Sequence, residues 1–258
     1  GAPATILLAG ATGYIGRFVA RELSNRGYRV IAPVRVPAGV DAAGHVEAVR
    51  SDLPGCDVRA GDVTDDASLE VAVAGTPLDA VVSCIASRSG APADAWKVDR
   101  DGNRNLLAAA KAAGARRFVL LSAICVQRPK LAFQHAKLAF EAELQASGLT
   151  WSIVRPTAFF KSLAGQVERV RAGKPFLVFG DGALTACKPI GEADLARFVV
   201  DCLEDPEKTD RVLSVGGPGP AITPQEQGEL LCRLAGQPVR IRRVTPRLFD
   251  AVLAVLGP

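Results

Sequence analysis

The 258-residue sequence contains no methionine, and only two each of histidine, tryptophan and tyrosine. With His45 and His135 as the only imidazoles, a histidine-rich metal centre is excluded. Six cysteines are present, yet no two form a C-x-x-C pair. Cys56, Cys84, Cys125, Cys187, Cys202 and Cys232 stand apart, several inside apolar runs. That is the pattern of free thiols in a reducing compartment, not of a disulfide framework or a zinc site. No block of five basic residues occurs and the net charge is only +4, so no nucleic-acid partner is expected. The densest basic stretch, Arg240, Arg242, Arg243 and Arg247, alternates as a solvated strand face does. No apolar run reaches the length of an integral membrane span, and no signal or transit segment is expected before the first strand.

What is there is an alternation of strand-like and helix-like segments, the pattern of a parallel sheet covered on both faces. Strands are expected at Ala4 to Ala9, Tyr28 to Arg35, a segment ending Gly61-Asp62-Val63, Asp79 to Ala86, Arg117 to Ala123 and Thr150 to Arg155. A helix is expected from Tyr14 to about Arg26. Near-continuous apolar runs of this length fit strands buried on both faces. The fold class is therefore α/β, a Rossmann-type doubly wound parallel sheet with a smaller C-terminal lobe. Residues 1–156 form the dinucleotide-binding core and residues 157–258 a substrate-binding lobe packed on it. Within the lobe, Asp181-Gly182 between two apolar runs predicts a hairpin over Lys174 to Lys188. A helix near Gly191 to Asp194, a strand Arg211 to Val215, a helix capped by Thr223 and Glu226, and a strand Val239 to Val244 follow.

The most informative motif is Gly10-Ala11-Thr12-Gly13-Tyr14-Ile15-Gly16, a G-x-x-G-x-x-G between strand and helix. Glycines there permit a tight turn and let backbone N–H groups approach a pyrophosphate at the helix N-terminus. The second strand ends Pro33-Val34-Arg35, with no carboxylate for ribose hydroxyls. A guanidinium binds a 2′-phosphate that a carboxylate would repel, so Arg35 argues for NADPH. Arg17 either assists it or is an ordinary exposed helix residue. Asp62 and Val63 are placed to contact adenine, and Cys84, Ile85 and Ala86 to lie beside the cofactor at a strand's carboxyl end. Pro156, where the core ends, is counted with them.

At the reacting end, Ser122 stands at the end of the fifth strand, near the nicotinamide or as a buried core serine. Short-chain dehydrogenases carry Tyr-x-x-x-Lys on the next helix. This chain has Phe133-Gln134-His135-Ala136-Lys137, so the lysine is kept and the tyrosine acid is missing. Spacing of four puts Phe133 and Lys137 on one helix face and leaves His135 off it, exposed.

Several longer runs resemble the divinyl chlorophyllide 8-vinyl-reductase family of atypical short-chain dehydrogenases. They are Val82 to Arg88 (VSCIASR), Leu121 to Gln127 (LSAICVQ), Phe133 to Leu144 (FQHAKLAFEAEL), Ile153 to Leu163 (IVRPTAFFKSL), Val178 to Gly182, Ala186 to Ile190 and Gly216 to Gly219. The likeness extends to about Gly236, after which the helix Pro246 to Leu256 has no assigned role. The resemblance implies NADPH-dependent reduction of the 8-vinyl group of a divinyl tetrapyrrole to ethyl, in (bacterio)chlorophyll synthesis. Without a transit segment in view, a bacterial cytoplasmic enzyme rather than a plastid one is expected, at most peripheral to photosynthetic membranes. Lys137 and Ser122 are then the catalytic candidates. Phe133, Phe159 and Phe160 are expected in an apolar wall for the tetrapyrrole, although Phe159 and Phe160 read equally as core. Lys161 would pair with the propionate. Two other readings compete: an isoflavone-reductase-like oxidoreductase on a smaller conjugated substrate, and a non-catalytic NADP(H) sensor that has lost the acid.

Overall fold

The structure is a computed structural model, and it describes residues 3–159 and 164–245. The chain divides into two compact units, Gly1–Pro156 with Glu192–Val215, and Thr157–Gly191 with Gly216–Pro258.

In the first unit the chain runs β1 (Thr5–Ala9), α1 (Tyr14–Asn25), β2 (Arg29–Val34), α2 (Ala42–Asp52), β3 (Cys56–Ala60), α3 (Asp66–Val73) and β4 (Ala80–Ser83). A four-residue helix α4 (Pro92–Ala95) then leads directly into a π-helical turn, Trp96–Gly102, and α5 (Asn103–Ala112). Strand β5 (Arg117–Leu121), α6 (Ala132–Gln145) and β6 (Thr150–Pro156) complete the continuous part. The second unit holds α7 (Ala164–Arg171) and β7 (Phe176–Phe179). The chain then returns to the first unit for α8 (Glu192–Glu204) and β8 (Arg211–Val215) before ending in the second with α9 (Pro224–Leu234) and β9 (Ile241–Val244).

Seven strands form one sheet in the order β3-β2-β1-β4-β5-β6-β8, and every neighbouring pair is parallel. The order reverses between β1 and β4. In an open parallel sheet, ligands bind in the crevice at that switch point, beyond the strands' carboxyl ends. Strand β1 (TILLA) is buried along its whole length, and so is β4 (AVVS). With helices on both faces, neither has a side facing water, which is why both read as unbroken apolar runs. A core of Leu7, Ile31, Val81, Leu106, Phe118, Phe140 and Ile153 joins the sheet to its helices.

Two expectations are revised. Residues 192–215, expected in the lobe, belong to the core unit. Strand β8 adds to the sheet edge in register with β6, Ile153 opposite Val212, and α8 buries Leu195, Ala196, Val199 and Val200. The hairpin expected over Lys174 to Lys188 does not form: β7 pairs in parallel with the distant β9, Phe176 opposite Ile241. Asp181-Gly182 still makes a turn, since Asp181 Oδ1 accepts the Ala183 and Leu184 N–H groups at 2.9 and 3.2 Å. Phe160, Lys161 and the helix expected at 246–256 lie outside the described residues, as does Arg247. The capping box at α9 is present, with Thr223 Oγ1 accepting from Glu226 N at 3.2 Å and Glu226 Oε2 from Thr223 N at 2.7 Å.

Candidate functional site

The glycine motif forms the turn from β1 into α1. Gly10 has φ +79°, a conformation that L side chains resist. A Cβ built on it would lie 2.7 Å from the Cys84 carbonyl oxygen, so Gly10 presses against the end of β4. Gly13 is the N-cap of α1, and its N–H donates to Gly10 O at 2.9 Å. A Cβ on Gly16 would stand 1.9 Å from the Gly10 carbonyl oxygen. Gly10 and Gly16 therefore fold the turn tightly against the helix with no room for a side chain, and a Cβ at Gly13 would be close, 3.1 Å from Gly10 O. No acidic residue stands in the first turn of α1. An anion is the natural complement of N–H groups at a helix start without a carboxylate of its own. This cradle fits a dinucleotide pyrophosphate.

Beside the turn opens a cavity of about 260 Å³, lined among others by Thr12, Arg17, Val34, Arg35, His45 and Arg88. The structure thus brings Arg17 and Arg35 to one cavity and adds Arg88, from the loop after β4. Arg17 is also tied to the turn, donating from Nε to Thr12 O at 3.2 Å. Three guanidiniums against the one carboxylate of Asp52 leave the space net positive, the character of an anion site. Asp62 does not stand free: its Oδ1 accepts from Thr64 N and Thr64 Oγ1, both at 2.8 Å, and fixes the loop after β3. Asn105 Nδ2 donates to Val63 O at 2.9 Å.

On the other side of the switch point, β4 continues into Cys84, Ile85 and Ala86. Burial pushes the Cys84 thiol up to about 12, against a smaller opposing effect of the Lys137 charge. Lys137 is buried on α6 and is no surface lysine. Its Nζ lies 2.8 Å from Asp99 Oδ1 in the π-helical turn. Phe133 is half-buried one turn earlier on α6, and His135 is exposed. The start of α6 is fixed by Gln134, whose Oε1 accepts from Lys130 N and Leu131 N at 2.7 and 2.9 Å. The salt bridges Arg100–Glu143, 3.0 Å, and Arg104–Glu143, 2.8 Å, fasten α6 to the π-turn and to α5.

Ser122 is buried beyond β5, and its hydroxyl donates to Glu141 Oε1 at 2.5 Å. Glu141, one turn after Lys137 on α6, is also paired with Arg155 near the end of β6. Pro156, the last residue of β6, is buried. Phe159 belongs to the second unit, where it makes an isolated bridge with Ile190.

Sequence reasoning missed Arg88, Asp99, Glu141 and Arg155. Glu141 had a signal, since it follows Lys137 by one helical turn. Arg88 closes the VSCIASR run, but nothing local says which cavity it lines. Asp99 and Arg155 sit in ordinary amphipathic contexts, and only the tertiary fold shows their partners.

A parallel sheet with its crevice at the β1/β4 switch, a three-glycine turn and an arginine-lined cavity define a Rossmann-type nucleotide-binding protein. The NAD(P)H-binding family model matches residues 10–206, and the chain belongs to that family. Among curated proteins it is 50% identical over 97% of its length to the chloroplastic divinyl chlorophyllide a 8-vinyl-reductase of Arabidopsis thaliana. It is 51% identical over 98% of its length to the protein of the same name from Zea mays. The chain spans 62% and 64% of the lengths of these two relatives. Among solved structures, the UDP-glucose 4-epimerase of Thermotoga maritima, determined with UDP-glucose, superimposes with a TM-score of 0.80 at 20% identity. That match covers 94% of this chain and 86% of the epimerase, and it speaks for the fold alone. Among the described residues, no helix is long and apolar enough to cross a membrane.

Proposed function

We propose that this chain carries the NADPH-dependent reduction of the 8-vinyl group of a 3,8-divinyl (proto)chlorophyllide to an ethyl group. The observation that carries the reading is the identity of about one residue in two, over almost the whole chain, with reductases named for that reaction. The site geometry is in keeping with it.

The glycine turn Gly10 to Gly16, with Ala11, Thr12, Tyr14 and Ile15, holds the pyrophosphate against the start of α1. Arg35 and Arg17 hold the 2′-phosphate in the arginine-lined cavity. Asp62 and Val63 border the adenine. Cys84, Ile85, Ala86 and Pro156 line the crevice toward the nicotinamide, and Lys137 donates to the ribose hydroxyls. Ser122 has committed its hydrogen to Glu141, so its oxygen serves as an acceptor, suited to a carboxamide N–H. When bound, NADPH would supply a hydride; the negative charge left on the conjugated substrate is dispersed by the macrocycle itself, and one proton from an acid or water completes the ethyl group.

That dispersal explains why Phe133 is tolerable where a tyrosine acid would otherwise stand. The protein need not stabilise a localised oxyanion, and its residues are left to position a flat ring against the nicotinamide while one proton reaches the substrate from an acid or water. Phe133 supplies an apolar surface of that kind. Six free cysteines favour a reducing compartment, here the cytoplasm of a photosynthetic bacterium, with the enzyme peripheral to its photosynthetic membranes.

Incubation with divinyl pigment and NADPH tests the reading, followed by the shift of the Soret band and chromatography of the product. Conversion to the ethyl product is expected. Cofactor binding without turnover would instead favour the sensor, and turnover of phenylpropanoid substrates alone the other reductase. With NADPD, label is expected in the methyl of the new ethyl group; label in its methylene would overturn hydride addition at the terminal carbon.

A further inference from the structure

Asp99 has only 1% of its side chain exposed, and its two oxygens face different elements. Oδ1 lies 2.8 Å from Lys137 Nζ on α6. Oδ2 accepts the Ser87 N–H at 3.3 Å, in the loop that follows β4. The Asp99 carbonyl accepts from Asn103 Nδ2 at 2.8 Å, and Asn103 Oδ1 accepts from Ser83 Oγ at 2.6 Å, on β4 itself. Beyond the ion pair, Oδ1 has no hydrogen-bond partner among the described residues. A carboxylate oxygen buried this deeply is costly unless a cation faces it, and Lys137 is that cation.

The backbone around Asp99 is itself unusual. Trp96–Gly102 is wound as a π-helix, a form that is rare, mostly confined to single turns, and frequent at functional sites. Extra winding at that point turns residue 99 toward α6, and the Arg100–Glu143 bridge on the next residue holds α6 against it. Lysine ends in a compact point charge on a flexible four-carbon stem, so by itself it has no fixed direction. Asp99 supplies one.

We propose that Asp99 is the positioning residue for Lys137: its 2.8 Å ion pair holds the ammonium beside the loop after β4, leaving two of three N–H groups to donate to the ribose hydroxyls of the dinucleotide. This rests on the reading of Lys137 as a cofactor-binding group. It also accounts for a lysine retained without its tyrosine. With no phenol to activate at Phe133, the ammonium serves the ribose alone, and the carboxylate compensates its charge so that it acts through directed hydrogen bonds.

The test is a double-substitution cycle on the full chain, reading the NADPH dissociation constant by fluorescence titration beside a thermal melt of each variant. Lys137→Met and Asp99→Asn are each expected to weaken NADPH on the order of tenfold, the scale of a lost hydrogen bond to a charged group. The double variant is expected to match Lys137→Met alone, because Asp99 acts only through the lysine. An additive result, on the order of a hundredfold, would show that Asp99 serves the site by another route and overturn the proposal. So would an Asp99→Asn protein that binds NADPH as tightly as the parent while Lys137→Met binds weakly. If Lys137→Met itself leaves NADPH affinity unchanged, the cofactor role of Lys137 fails, and the proposal with it. Because Asp99→Asn strands a buried ammonium and can unfold the chain, Asp99→Glu is measured in parallel. It keeps the charge but displaces the carboxylate by one methylene, so a severalfold weakening that vanishes in the Lys137→Met background is expected.

Discussion

Glu141 receives the Ser122 hydroxyl on Oε1 at 2.5 Å and the Arg155 guanidinium on both oxygens, all within one buried contact between α6, β5 and β6. Only 3% of the Glu141 side chain and 17% of the Arg155 side chain are exposed. The cost of breaking such a pair lies less in the lost attraction than in the charge left behind. Glu141→Ala strands Arg155 and should destabilise the protein by about 3 kcal/mol or more. For a chain of this size that lowers Tm by roughly 6–12 °C, measurable by calorimetry. Ser122→Ala leaves the ion pair intact and should cost about 1 kcal/mol. Equal melting temperatures for the two variants would remove Glu141 as the hub.

The glycine turn and a loop glycine should respond very differently to one methyl group. Gly148 has φ +80° and open space around its Cβ position, so Gly148→Ala carries only the left-handed backbone penalty, about 1–2 kcal/mol. NADPH affinity should not change. At Gly16 the methyl meets the Gly10 carbonyl oxygen at 1.9 Å, a contact the turn relieves only by opening. Gly16→Ala should therefore lose cofactor binding even at temperatures where the protein stays folded. Titration of both variants with NADPH checks this, and retained affinity in Gly16→Ala would contradict the assigned cradle.

How much of this was legible beforehand follows from where the information lies. The glycine turn and the alternating strands are local patterns, and each predicted strand before Pro156 forms within a few residues of its expected place. Lys137 was legible because its partner in the motif, Phe133, stands four positions away. Asp99 was not, because nothing near it in the chain announces a lysine on another helix. The Asp181-Gly182 turn was legible as a turn, but its following strand was not there: β7 finds β9, far along the chain, and parallel pairing leaves no short-range trace. The same holds for β8, whose short run Arg211–Val215 gives no sign that it returns to the large sheet.

The arginine-lined cavity predicts cofactor preference. Arg17, Arg35 and Arg88 are exposed to it, so their charges meet a ligand through partly solvated contacts. Arg35→Ala and Arg88→Ala should each weaken NADPH on the order of tenfold, the scale of one charge-assisted hydrogen bond. NADH, which lacks the 2′-phosphate, should bind all three proteins alike. Binding of both cofactors, titrated at low and at high salt, is the measurement, and the NADPH losses should shrink as salt rises. A parallel loss of NADH affinity in Arg88→Ala would place that side chain at the pyrophosphate instead.

Alkaline pH should lower the stability of the protein through thiols that the fold holds protonated. Burial raises Cys84 from the ordinary 9.0 to about 12 and Cys202 to about 11, while Tyr28, half-buried and donating to Glu204 Oε1 at 2.8 Å, rises to about 12 through partial desolvation and that hydrogen bond. A group whose folded-state value lies above its unfolded value holds its proton more tightly when folded. Its contribution is therefore complete below the unfolded value and is lost as pH climbs through the folded one. For the two cysteines the loss begins near pH 9; for Tyr28 it begins near pH 10. Denaturant titrations at successive pH values should show stability falling from pH 9 upward. Cys84→Ala removes the largest of the thiol shifts and should flatten that fall while leaving the curve below pH 9 parallel to the parent's. The same burial predicts selective alkylation. Cys125 is exposed and should react with iodoacetamide in the native state, whereas Cys202, fully buried and held as the neutral thiol, should react only after unfolding. Rapid native-state labelling of Cys202 at pH 8 would show that the thiol is neither buried nor held protonated on α8.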